Sequence, residues 1–211
     1  MKAMICALAL GVGLAVSGVG CAGINSDVVV AAGQHAGNVS SVNGDIRVAA
    51  DGHVRKAETV NGDITLGARA TARKLETVNG GVTLGNQARV SDDAETVNGD
   101  ITLHQGADVR GEVSNVNGDL RLEAAHVGDG LETVSGDITV GANSRVEGGI
   151  EVERPSRGSM STHVPRIVIG PHAVVTGKLQ FKRPVKLYVS DSATIGPVTG
   201  ATAVRFSGSR P

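Results

Sequence analysis

"ETVNGDITLG" occupies Glu58–Gly67 and returns as "ETVNGGVTLG" (Glu76–Gly85), "ETVNGDITLH" (Glu95–His104) and "ETVSGDITVG" (Glu132–Gly141). The valines that open these corners, Val42, Val60, Val78, Val97, Val116 and Val134, stand 18, 18, 19, 19 and 18 residues apart. A short fixed period is the mark of a solenoid, in which each unit buries its apolar face only against its neighbours. The unit is too short for a helical hairpin, and the leucine-rich-repeat pattern is absent. Leu66, Ala72, Val78, Leu84 and Val90 follow one another at steps of six. Three sixes make a triangular coil, each side a short strand and each corner a turn rich in Gly, Asn and Asp.

Strand alternation assigns the sides. In "VNGDITL", Val60, Ile64 and Leu66 share one parity, and Asn61, Asp63 and Thr65 the other. The expected fold is therefore all-β, a single-stranded triangular β-helix with coils of 18–19 residues. The expected core comprises Val60, Ile64, Leu66, Val78, Leu84, Val97, Ile101, Leu103, Val116, Val134, Ile138 and Val140. Asn-Gly and Gly-Asp are expected to supply positive φ at the corners.

Composition agrees with a thin, regular core. Among 211 residues there are 30 Gly, one Tyr, two Phe and no Trp, so Val, Ile, Leu and Ala carry the burial. A net charge of −1, with no basic run, points away from nucleic acid. Residues 1–20 read as an export signal, one Lys followed by an apolar stretch from Ala3 to Val16. "SGVGC" resembles the bacterial lipobox and makes Cys21 the candidate lipidation site, although Gly18 stands where that motif has a large aliphatic residue. Ordinary signal cleavage near "AVS" or "CAG" is the competing outcome. Residues 21–26 then form a short linker, 27–206 the solenoid and 207–211 a tail. "RPSRGSMSTHVP", at 154–165, interrupts the pattern as a loop thrown out from a corner.

The polar columns admit sharper readings. The aspartates Asp45, Asp63, Asp100, Asp119 and Asp137 are one to a coil, broken at Gly81. One carboxylate per coil is too few for a calcium site of six to eight oxygens. They read as turn residues bonding backbone N–H groups, with no metal and no cofactor expected. The asparagines Asn43, Asn61, Asn79, Asn98 and Asn117 read as an amide ladder along the axis. Thr59, Thr77, Thr96 and Thr133 form a like column, the kind of flat surface that recognises a polymer. The six histidines, His35, His53, His104, His126, His163 and His172, show no catalytic spacing. An enzyme of the hexapeptide-repeat acyltransferase kind is the remote alternative, on coil size alone.

"IGPHAVVTGKLQF" (Ile169–Phe181) and "VGANSRVEGGIEV" (Val140–Val152) resemble the repeats of bactofilins, polymer-forming proteins of bacteria. The "ETVNGDITLG" coils are similar to repeats of bacterial surface-adhesin domains. The bactofilin resemblance implies a right-handed β-helix that associates end to end without nucleotide; this chain departs from it in carrying an export signal. The expected function is non-enzymatic: an exported scaffold, spacer or self-assembling element of the periplasm or outer membrane. Its expected partners are further copies of itself through the solenoid ends, and the membrane through a lipid on Cys21. The alternative is an adhesin-like module contacting glycan or peptidoglycan.

Overall fold

The computed structural model describes residues 4–6, 21–155 and 163–211. All regular structure in them is strand, and every strand pair is parallel. Successive coils stack in register, so that Ile46, Ile64, Val82, Ile101, Leu120, Ile138, Ile167 and Leu187 form one column. The chain is a β-solenoid. From Val28–Val30 to Ala203–Phe206 its first face has ten strands, nine steps of ~4.8 Å, or ~43 Å.

Each coil has three sides. In one coil the first is Ile64–Leu66, and the second and third are a single bent strand, Thr71–Asn79. His35–Asn43 and His53–Asn61 are the same kind of nine-residue strand. From the next coil onward this strand splits, into Arg89–Val90 and Ala94–Asn98, then Asp108–Val109 and Val113–Asn117. Spacing explains the break. Inward residues Val54 and Ala57 flank two outward residues, whereas Val90 and Ala94 flank three, Ser91, Asp92 and Asp93. The added residue cannot stay in an extended ladder, and it produces the first 19-residue step.

The core is a column of small and medium aliphatics. Ile64, Leu66, Leu84, Ile101, Leu103, Ile138 and Val140 are buried, as expected. The opening valines are not. Val60, Val78, Val97 and Val116 are about 40 % exposed, and Val134 is half-buried. Their neighbours Thr59, Thr77, Thr96 and Thr133 face the core instead, at 0–5 % exposure. Alternation was carried across the corner at Gly62–Asp63, where the strand is interrupted and the parity resets.

A part-buried carbonyl decides which neighbour goes in. Thr59 Oγ1 donates to Gly44 O at 3.0 Å, Thr77 to Gly62 O at 3.0 Å and Thr96 to Gly80 O at 2.9 Å. Each is the corner carbonyl of the preceding coil. An unpaired buried carbonyl costs about 1–3 kcal/mol, and valine has no donor to offer. Asn115 takes the threonine place in one coil. Its Nδ2 donates to Gly99 O (3.2 Å) and Gly118 O (2.7 Å), but its Oδ1 is buried without a partner. Asn115→Thr removes that orphan and keeps the bond to Gly99 but gives up the bond to Gly118, so the two effects offset and stability in urea unfolding is expected to stay within about 1 kcal/mol of the parent.

The glycines of the Asn-Gly corners answer to close approach rather than to positive φ. A Cβ on Gly62 would lie 2.2 Å from Gly44 O, and one on Gly80 or Gly99 2.0 Å from the glycine oxygen below it. Of this column only Gly118 has a left-handed φ, +119°. Left-handed residues gather at the following corner, as Gly33, Asp51, Arg69, Gln87, Gly106, Ala124, Asn143 and His172.

The segment read as a linker belongs to the solenoid. Cys21–Gly23 pairs with Val39–Ser41, and Asn25 and Asp27 already stand in the polar columns. The Cys21 side chain and the expected signal, residues 1–20, lie outside the described residues, apart from the backbone of Met4–Cys6 beside Val28–Val30. Residues 156–162 of the expected loop also lie outside them. The coils on either side keep register, Ile150 with Leu179 and Ile138 with Ile167.

Candidate functional site: the polar columns and the C-terminal end

Asn, Gly and Asp at the corner all act along the solenoid axis. Asn43 Nδ2 donates to Asn25 Oδ1, Asn61 to Asn43, Asn79 to Asn61, Asn98 to Asn79 and Asn117 to Asn98, at 2.8–3.0 Å. The ladder was legible in the sequence except for its first rung, Asn25. The aspartates bond one coil onward. Asp27 Oδ1 accepts from Asp45 N, Asp45 from Asp63 N, Asp63 from Gly81 N, Asp100 from Asp119 N and Asp119 from Asp137 N. Arg47 bridges Asp27 and Asp45, and Arg121 bridges Asp100 and Asp119. The backbone bond from Asp45 and the Arg47 guanidinium hold the Asp27 carboxyl below its ordinary value. Each carboxylate is thus engaged in coil-to-coil stapling.

The histidines are distributed over different corners and sides. His35 and His53 stack with centroids 5.2 Å apart, and His53 Nδ1 lies 2.6 Å from Thr71 Oγ1. His104 meets Glu123 at 2.7 Å, and His126 lies between Asp108 (2.5 Å) and Glu147 (3.5 Å). His163, beside the loop, is 2.7 Å from Asp137 Oδ1. Arg183 closes that corner, donating to Val134 O and His163 O.

The third side carries a charge arrangement that the repeat alone did not reveal. Lys56 and Lys74 bridge Glu58, Glu76 and Glu95 in successive coils. Burial alone would raise the Glu76 carboxyl, but the two lysines hold it well below its usual range. In the next coils the lysine position becomes Asp93, Glu112, Gly130 and Gly149. The two glycines leave a groove of about 280 Å³ bordered by Glu112, Glu132, Glu151 and Lys178. Burial, then the charges of Glu132, Asp93 and Glu95, push the Glu112 carboxyl up from 4.5 to about 7. A carboxyl that binds its proton more tightly when folded contributes stability that is present in full below 4.5 and is lost as pH rises through about 7. Glu112→Gln is therefore expected to be more stable than the parent by about 1 kcal/mol at pH 8, allowing for solvent screening. The difference should vanish toward pH 4, as read by urea unfolding at each pH.

Among the described residues, nothing covers the C-terminal end: Thr194–Ile195, Val198–Thr199 and Ala203–Phe206 pair there only with the preceding coil. Ile195, Val198, Ala201 and Ala203 pack on the core from one side and stay partly exposed, and Val204 is 55 % exposed. Ser209–Pro211 do not cover this end. They border a groove with Thr139, Gly141, Arg166 and Pro171, on the flank of the rod.

Fold and columns together define the class: a parallel β-solenoid stapled coil to coil by side-chain ladders. Comparison with protein-family profiles, with curated proteins and with solved structures gives no match.

Proposed function

We propose that this chain is a non-enzymatic, exported β-solenoid that serves the cell envelope as a rigid scaffold or spacer and assembles end to end with further copies of itself. The observation that supports this most is the bare last coil, with three parallel strand edges around a half-exposed apolar interior. Such an edge is a template for another chain unless it is blocked. A head-to-tail contact between unlike ends does not close, and so builds filaments. Lipidation of Cys21 would hold the rod by its first coil, with the bare end directed away from the membrane.

Sedimentation and electron microscopy across concentrations test assembly. Longer rods should appear as concentration rises, and Ile195→Lys with Val198→Lys should return the chain to monomers by charging the end. Strictly monomeric particles at every concentration would overturn the reading. Palmitate labelling that is lost in Cys21→Ala is the expected result for the anchor.

A second reading has its own support. Val42, Val60, Val78, Val97 and Val116 form an exposed apolar stripe beside the amide ladder. A flat, regular surface of this kind suits an adhesin-like contact with glycan, and a peptidoglycan pull-down distinguishes it from a pure scaffold.

A further inference from the structure

We propose that Asn117–Gly118 is a site of spontaneous backbone-assisted deamidation, singled out from five chemically identical Asn-Gly pairs by its place at the end of the amide ladder. In this reaction the Gly118 backbone nitrogen loses its proton and attacks Asn117 Cγ. The new N–C bond forms, the bond from Cγ to the amide nitrogen breaks, and ammonia leaves with the returned proton. Water then opens the succinimide ring at either carbonyl, giving aspartate or isoaspartate. Glycine favours the attack because it has no side chain to obstruct it, so Asn43–Gly44, Asn61–Gly62, Asn79–Gly80, Asn98–Gly99 and Asn117–Gly118 begin with equal intrinsic reactivity.

Two restraints oppose the reaction along most of the ladder. The attacking N–H is occupied where Gly62 donates to Asn79 O (3.1 Å), Gly80 to Asn98 O (3.0 Å) and Gly99 to Asn117 O (2.8 Å). The carboxamide is gripped from both sides wherever it donates to the rung below and accepts from the rung above, as Asn43, Asn61, Asn79 and Asn98 do. Asn117 donates to Asn98, but the next coil offers Ser135, and its Oδ1 receives no bond among the described residues. Gly118 N likewise has no backbone acceptor among them, and Gly118 alone of this column has turned to φ +119°. Forward ladder pairing of the strand Val113–Asn117 ends at Ser114–Glu132, and beyond it Ser135 N donates to Val116 O rather than a glycine N–H to a carbonyl above. Gly44 also lacks a close backbone acceptor, but the Asn43 carboxamide is held on both sides, so one restraint remains there. Asn117 is exposed, and water has access for the hydrolytic step.

The product disturbs the corner. A carboxylate at 117 cannot donate to Asn98 Oδ1, and isoaspartate lengthens the main chain where coils are in backbone contact: a Cβ on Gly118 would already lie 2.2 Å from Gly99 O.

The test is incubation of the folded full chain at mildly alkaline pH, followed by tryptic peptide mass spectrometry, since trypsin places the five pairs in separate peptides. Conversion is expected at Asn117 at least several-fold ahead of Asn61, Asn79 and Asn98, with Asn43 between. The same incubation in denaturant should equalise all five. Ser135→Asn extends the ladder by one rung and should slow Asn117 several-fold while leaving Asn61 unchanged. Equal rates at Asn117 and Asn61 in the folded chain, or no protection from the added rung, would overturn the proposal.

Discussion

Gly99→Ala is expected to be among the most damaging single substitutions in the protein, costing about 3 kcal/mol or more. The added Cβ would stand 2.0 Å from Gly80 O and 2.4 Å from Gly80 C, and both are backbone atoms of a coil itself held in register on either side. No rotamer relieves that contact, so the two coils must separate. Damage should remain local, because each coil touches only its neighbours. Hydrogen exchange should show lost protection where Ala94–Asn98 meets Leu75–Asn79, and retained protection between Arg166–Ile169 and Lys186–Ser190. Gly33→Ala provides the contrast. Its Cβ meets nothing within 4 Å, and only the φ of +67° opposes it, at about 1 kcal/mol. A Gly99→Ala variant as stable as Gly33→Ala would remove close coil contact as the reason for the glycine column.

Leu103→Ala should cost about 3 kcal/mol, whereas Val97→Ala should stay within about 0.5 kcal/mol. Leu103 is fully buried between Leu84 and Leu122 in its column, and Val97 is 40 % exposed. Thr77→Val adds a second check on the orientation. It keeps the shape of the side chain but takes the donor from the part-buried Gly62 O, at about 1 kcal/mol. Urea unfolding of the three variants ranks them directly. A costly Val97→Ala with a harmless Thr77→Val would restore the simple alternating pattern.

Most of the architecture was legible because it depends on repetition. The period, the strand content, the turn role of the aspartates and the asparagine ladder all follow from residues recurring in register. What repetition could not supply was the phase of each side after a corner. Val60 looked like core because it is apolar and shares parity with Ile64 across two turn residues. Glu112 is hidden from the sequence for a different reason: its environment comes from Asp93, Glu95 and Glu132 in neighbouring coils, and the groove it borders from the absent side chains at Gly130 and Gly149. The left-handed corner was equally hidden, since Arg69, Gln87 and Ala124 are not residues that announce positive φ.

The amino-acid sequence by itself determined that this chain coils with a period of 18 or 19 residues, with aliphatic sides and Asn-Gly-Asp corners. Tertiary structure alone decided that Thr59 points inward and Val60 outward, because the deciding group, the carbonyl of Gly44, belongs to the coil below. It also decided that no described strand covers the last coil and that Asn117 ends the ladder. Such properties belong to one coil's contact with the next, and a sequence read along the chain carries no contact between coils.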